Sequence, residues 1–119
     1  MNFSYFGRSL CAAALGLAAF SSPVLAAEMV KDKGGMTLYT FDADKDGQST
    51  CYDTCATNWP PYVGKADEKA AKGWTLVPRT DGAQQWAYDG KPTYTYMADK
   101  AAGDAKGDGV EGKWHVIAK

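Results

Sequence analysis

The chain has 119 residues, with 13 basic and 14 acidic side chains and a formal net charge of −1. A near-neutral balance without a basic block gives no electrostatic basis for nucleic acid or an anionic membrane surface as partner. One histidine, His115, and three cysteines, Cys11, Cys51 and Cys55, narrow the catalytic and metal-binding options further.

Arg8 is followed by the apolar run SLCAAALGLAAF and then by SSPVLAAE. A charged start, a short apolar stretch and small residues at Val24 and Ala26 make a secretory signal peptide, residues 1–26, with cleavage expected after Ala26. The apolar run is shorter than the roughly 20 residues that a spanning helix needs. Cys11 opens this run rather than closing it, so it is expected to leave with the signal peptide rather than to serve as a lipid anchor. Export places the mature chain, residues 27–119, in the periplasm or outside the cell. Its 12 basic and 14 acidic residues give a net charge of about −2, and no membrane span is expected in it. It is expected to form a single domain near the lower size limit for a self-sufficient core.

Within it the sequence repeats. GMTLYTFDADK (35–45) matches GKPTYTYMADK (90–100) at an offset of 55 residues. Tyr39 falls on Tyr94, Phe41 on Tyr96 and Asp44 on Asp99, so both copies read Tyr-x-aromatic-x-x-Asp. Both alternate in polarity with a period of two and are rich in aromatic and β-branched residues, which is a strand pattern. Asp89-Gly90 signals a tight hairpin between 84–88 and 91–97, and KDKGGM signals a turn between 28–32 and 36–42. TDGA (80–83) turns WTLVPR (74–79) back onto QQWAY (84–88).

Two further segments open with tryptophan, WTLV (74–77) and WHVI (114–117). Taking each as the closing strand of one copy gives two three-stranded halves, 28–79 and 83–118. The strict 55-residue offset instead sets Trp59 on Trp114, but Pro60 and Pro61 argue against a strand there. The expected fold is therefore mainly β, a small antiparallel sandwich or open barrel. An insertion in the first half holds both remaining cysteines, WPPY (59–62) and a short exposed helix at ADEKAAK (66–72).

The acidic stretch DADKDG invites a calcium reading. Counted from Asp42, the EF-hand ligand positions fall on Asp42, Asp44, Asp46, Gln48, Thr50 and Asp53, with Gly47 in the glycine slot. The segment leading in is a strand rather than a helix, and the second copy replaces Asp42 and Asp46 with Met97 and Ala101. The residue common to both copies is the aspartate three positions after the second aromatic, which suits a turn-closing acceptor of backbone N–H groups. Calcium is thus the alternative reading, and a structural role for Asp44 and Asp99 the leading one.

Cys51 and Cys55, an even pair in an exported domain, are expected to form a disulfide that fixes local shape, contributing about 1–2 kcal/mol. Copper held by these cysteines with His115 and a methionine, or thiol-redox chemistry at the pair, are the remaining alternatives. C-x-x-x-C is neither a thioredoxin-like nor a haem-attachment spacing. GDGVEG (107–112) fits G-x-G-x-x-G but precedes a strand, so it reads as a flexible surface loop rather than a nucleotide site. His115 is expected to face solvent. No catalytic constellation and no cofactor emerges. The leading expectation is a non-enzymatic module that binds an envelope protein or a small ligand through its aromatic surface or the Cys51–Pro61 insertion, with Trp59, Pro60, Pro61 and Tyr62 as the candidate contact residues.

On GMTLYTFDAD, the segment Ser49–Ala56, NWPP (58–61), the run Asp81–Trp86, GKPTYTYMAD and GDAKGDGVEGKWHVI, the chain resembles a secreted-repeat family of predicted bacterial lipoproteins. That family is named for a Tyr-x-(Phe/Trp/Tyr)-x-x-Asp motif. The resemblance covers nearly all of 27–119 and implies no assigned activity. Its lipoprotein label departs from the position of Cys11.

Overall fold

The computed structural model describes residues 28–118. The expected signal peptide, with Cys11, lies outside them. Six short strands form two antiparallel sheets that do not close into a barrel. They are β1 (Tyr39–Phe41), β2 (Val63–Gly64), β3 (Trp74–Pro78), β4 (Gln84–Tyr88), β5 (Lys91–Pro92) and β6 (Trp114–Val116). β1 pairs with β6, while β4 is flanked by β2 and β3 and pairs with β5 through the Asp89-Gly90 turn. Asp89 and Gly90 both have positive φ, 51° and 81°, as such a turn requires. The first hairpin is reduced to a bridge between Lys31 and Thr37, closed by Asp32, whose Oδ1 accepts the N–H groups of Gly34 and Met36.

The hydrogen bonds reveal a local two-fold relation. Tyr39 and Tyr94, the matching tyrosines, pair directly: each donates its N–H to the other's carbonyl, at 2.8 and 3.0 Å. Asp42 donates to Lys113 at 2.9 Å, and Met97 donates to Asn58 at 2.9 Å. Val30 donates to Ile117 and Trp86 to Tyr62, both at 2.8 Å. Asp44 donates to Phe41 and Asp99 to Tyr96, both at 3.1 Å. Each bond recurs at the 55-residue offset, lengthened by one residue at Trp86.

This corrects the expected three-stranded halves. The counterpart of 113–117 is 58–62, not 74–79, so the strict offset holds and Trp59 is equivalent to Trp114. Pro60 and Pro61 are tolerated because the segment joins the second copy largely through carbonyls. Asn58, Pro60 and Tyr62 accept from Met97, Thr95 and Trp86, and a proline retains its carbonyl. β3 falls outside the segments matched at the 55-residue offset, and it pairs with β4 of the second copy.

The expected helix at 66–72 is also absent; the chain there forms turns. So short a segment gains little from helical hydrogen bonding alone. Glu68 instead reaches back to accept the Lys65 N–H at 2.7 Å and the Lys33 ammonium at 2.7 Å. The helix of this insertion is α1, Thr54–Asn58, which starts inside the disulfide loop. The expected flexible loop at 103–112 ends in a 3₁₀ turn, Val110–Gly112, with Lys113 donating back to Val110 at 3.0 Å. The principal core cluster comprises Tyr39, Cys51, Trp59, Tyr94 and Trp114.

Candidate functional site

The motif residues bond across the two copies. The Tyr39 hydroxyl donates to Asp99 Oδ2 at 2.6 Å, and the Tyr94 hydroxyl donates to Asp44 Oδ2 at 2.7 Å. Both tyrosines are fully buried, at 0% exposure. The other oxygens of the two carboxylates close turns. Asp44 Oδ1 accepts Thr50 N–H at 2.8 Å and its hydroxyl at 3.0 Å, and Asp99 Oδ1 accepts Lys106 N–H at 2.9 Å. The tyrosine oxygens accept in turn: Tyr39 from Gly107 N–H at 3.1 Å, and Tyr94 from the Ser49 hydroxyl at 2.6 Å. Burial first, and the facing carboxylate second, push the Tyr39 phenol well above its ordinary range. Burial is also the main cause raising Tyr94, and it raises the Asp44 carboxyl against the bonds from Tyr94 and Thr50. The tyrosines are thus protonated donors, suited to holding the copies together rather than to removing protons.

The second aromatic of each motif ends a stack of four rings. Phe41 lies on Trp114 at 4.1 Å between centroids, Trp114 on Trp59 at 3.8 Å, and Trp59 on Tyr96 at 4.0 Å. The central pair is parallel within 2°. Phe41 and Tyr96 are equivalent, as are the two tryptophans, so the stack straddles the local two-fold. Gly107 makes room for it: a Cβ there would stand 2.6 Å from the Trp59 ring and 3.0 Å from Tyr96. The stack borders a groove of about 610 Å³ lined also by Thr54, Cys55, Asn58, Met97, Ala98, Val110 and Glu111.

Cys51 and Cys55 are bridged, with their Cα atoms 5.2 Å apart. The sulfurs are therefore bonded to each other rather than free as thiolate ligands. Asp53, between them, has φ 55°, and this bend lets the bridge close where a regular helix would not. Behind the bridge sits Arg79, only 5% exposed, which the sequence reading passed over. Its guanidinium donates to the Cys51 carbonyl (3.0 Å), Ser49 Oγ (3.1 Å), Gln85 Oε1 (2.8 Å) and Asp81 Oδ2 (3.0 Å), and lies 4.3 Å from the centre of the Tyr52 ring. A lone arginine before a turn carries no sequence signal for this role.

The acidic stretch is a tight turn. Lys45 and Gln48 exchange backbone bonds at 3.3 and 2.8 Å across Asp46 and Gly47, which have φ 54° and 75°. This is the positive-φ pair that a two-residue hairpin turn selects. Asp42 points instead to His115 Nε2, at 2.9 Å on the exposed surface. Thr50 is bonded to Asp44, and Asp53 lies in the disulfide loop. Among the described residues, no three His, Cys, Asp or Glu side chains come together as a metal-holding group.

The segment 59–62 divides its side chains. Trp59 is buried in the stack, Pro60 and Pro61 are half-buried, and Tyr62 lines a different cavity. That cavity, about 210 Å³, is walled by Tyr62, Trp74 and Trp86 together with Lys31, Asp32, Lys33, Glu68, Lys69 and Ala71. Trp74 stands near-perpendicular to both Tyr62 (82°, 6.0 Å) and Trp86 (87°, 6.2 Å). The sequence reading placed Trp74 and Trp86 only as strand residues, because strand periodicity does not show which aromatics converge.

Among the described residues, no helix is long and apolar enough to cross a membrane. No curated protein and no solved structure matches the chain. A family model described as a secreted repeat of unknown function matches residues 28–62 and 75–118. The first match ends on the carbonyl-accepting segment, and the second starts one residue into β3 and runs two residues past β6. The duplicated hydrogen-bond pattern is thus the physical form of a repeat, and the chain belongs to the lipoprotein family described as a secreted repeat of unknown function.

Proposed function

We propose that the chain is an exported, periplasmic binding module without catalytic activity, and that its ligand seats in the groove beside the ring stack and the Cys51–Cys55 bridge. The observation that carries this reading is the convergence of both motif aromatics on one open groove. Phe41 and Tyr96 are only half-buried there, and Met97 is 50% exposed at its wall. A groove of about 610 Å³ falls within the range of small-ligand sites. Its lining is led by the four rings with Met97, Ala98 and Val110, joined by the polar Thr54 and Asn58, with Glu111 as the single charged side chain and no histidine. Such a lining selects an apolar, ring-bearing ligand or partner side chain and offers no acid–base pair. The alternatives, calcium at Asp42, Asp44 and Asp46 or thiol exchange at the cysteines, gain no specific supporting observation.

The test is titration with the neutral dye N-phenyl-1-naphthylamine, followed by its fluorescence. The reading expects saturable binding of one dye per chain, weakened about tenfold, or about 1.4 kcal/mol, in Met97→Asp, which sets a carboxylate at the wall. Met97 is half exposed, so the substitution buries no charge in the core, and circular dichroism checks that the fold is retained. Absence of saturable binding, or binding indifferent to Met97→Asp, overturns the reading.

A further inference from the structure

The cavity walled by Tyr62, Trp74 and Trp86 lies apart from the groove and shares no lining residue with it. Much of it comes from outside the duplicated framework: Glu68, Lys69, Ala71 and Trp74 all belong to the segment between the copies. Trp86 is 5% exposed and lies against Gly64, where any Cβ would collide with its indole. Three rings on a cavity wall, with Trp74 near-perpendicular to the other two, offer a slot for another ring or for a cation.

The charges decide between these. The lining includes three lysines, Lys31, Lys33 and Lys69, and two acids, Asp32 and Glu68, a surplus of one positive charge. Both carboxylates are already engaged. Asp32 Oδ1 holds the hairpin turn through the N–H groups of Gly34 and Met36, and Glu68 holds Lys33 and the Lys65 N–H. Glu68 is neutralised by Lys33, and Asp32 keeps its charge but spends Oδ1 on the turn. One unpaired carboxylate thus stands against two unpaired lysines, and the balance disfavours a cation. Lys31 and Lys69, in contrast, form no ion pair among the described residues.

We propose that this cavity is a second binding site, for a small ring that carries a carboxylate. The ring enters among Tyr62, Trp74 and Trp86, and the carboxylate is met by Lys31 and Lys69. An aromatic acid and a uronic acid share this chemistry and differ in the ring. The site is independent of the groove, and neither reading rests on the other.

The test uses ¹⁵N-labelled protein, whose four indole N–H signals are assigned through single Trp→Phe variants. Benzoate and glucuronate are titrated separately, with benzyl alcohol, glucose and tetramethylammonium as comparators. The proposal expects saturable movement of the Trp74 and Trp86 signals with at least one carboxylate; the one that binds identifies the ring. The Trp59 and Trp114 signals stay in place. Lys31→Gln with Lys69→Gln, both at exposed positions, weakens binding roughly three- to tenfold, the range for two exposed charge pairs, and added salt does the same. The proposal is overturned if neither carboxylate moves those signals, if the neutral analogue binds as well as its acid, if tetramethylammonium binds in preference, if Trp59 and Trp114 respond instead, or if the lysine variant binds unchanged.

Discussion

Replacing Tyr39 by phenylalanine removes one oxygen from the centre of the molecule and leaves the ring in place. That oxygen donates to Asp99 Oδ2 at 2.6 Å and accepts Gly107 N–H at 3.1 Å. Asp99 is 7% exposed and Gly107 is buried, so water does not readily replace either bond. A hydrogen bond to a charged group contributes about 1.5–3 kcal/mol, and a neutral one about 0.5–1.5 kcal/mol. Together they put the loss at roughly 2–4 kcal/mol. For a domain of this size each kcal/mol lowers Tm by about 4–8 °C, so a fall of roughly 8–32 °C is expected. Urea unfolding followed by tryptophan fluorescence measures the free energy, and an unchanged m-value confirms that the compactness of the end states is preserved. The equivalent change, Tyr94→Phe, should cost less because Asp44 is only half-buried. A Tyr39→Phe loss under about 0.5 kcal/mol, the scale of an ordinary surface substitution, would refute the reasoning.

Gly107→Ala drives a Cβ to 2.6 Å from Trp59, so it should destabilise by about 1–3 kcal/mol, as over-packing does, and distort the near-ultraviolet tryptophan signal. Arg79→Lys cannot serve Ser49, Gln85 and the Cys51 carbonyl from a single ammonium; thermal melts should show a loss of about 2–4 kcal/mol. Replacing both cysteines by alanine releases a short closed loop and should cost about 2 kcal/mol while leaving the two-fold frame folded. Carboxyl NMR titration should find Asp44 above the ordinary aspartate range, because burial disfavours its charge, and Asp81 and Asp104 below it, because backbone N–H groups bind their charged forms. The signs are opposite. The folded chain holds the Asp44 proton more tightly than the unfolded chain, so its contribution falls as pH rises from the unfolded to the folded value. Asp81 and Asp104 contribute stability that is present above the ordinary range and lost as pH falls through their depressed values.

The duplication itself was legible because strand polarity, Tyr39 with Tyr94 and Asp44 with Asp99 recur at one spacing. What the spacing could not display was the partner. Repetition shows that two residues are equivalent, whereas the bonds run from the tyrosine of one copy to the aspartate of the other. The proline pair misled because its missing N–H argues against a central strand, while the ladder here needs mainly carbonyls. The helix was misplaced because exposed polar residues at 66–72 resemble a helix in composition, yet the disulfide loop and the 52–55 turn start one at Thr54. The hairpin turn at Asp46-Gly47 was not among the sequence expectations, although Asp-Gly is the same dipeptide that signals the turn at 89–90; positive φ at both residues identifies it. Arg79 and the Tyr62, Trp74, Trp86 cavity depend on long-range convergence, which no local pattern encodes.

A double-mutant cycle compares partners across and within the copies most directly. Tyr39→Phe combined with Asp99→Asn probes the cross-copy bond; Tyr39→Phe combined with Asp44→Asn probes the same-copy pair of the motif. The cross-copy cycle should give a coupling of about 1–2 kcal/mol and the same-copy cycle less than about 0.5 kcal/mol, the scatter expected of sites that share no bond. Equal couplings, or a larger one within a copy, would contradict an interlocked repeat.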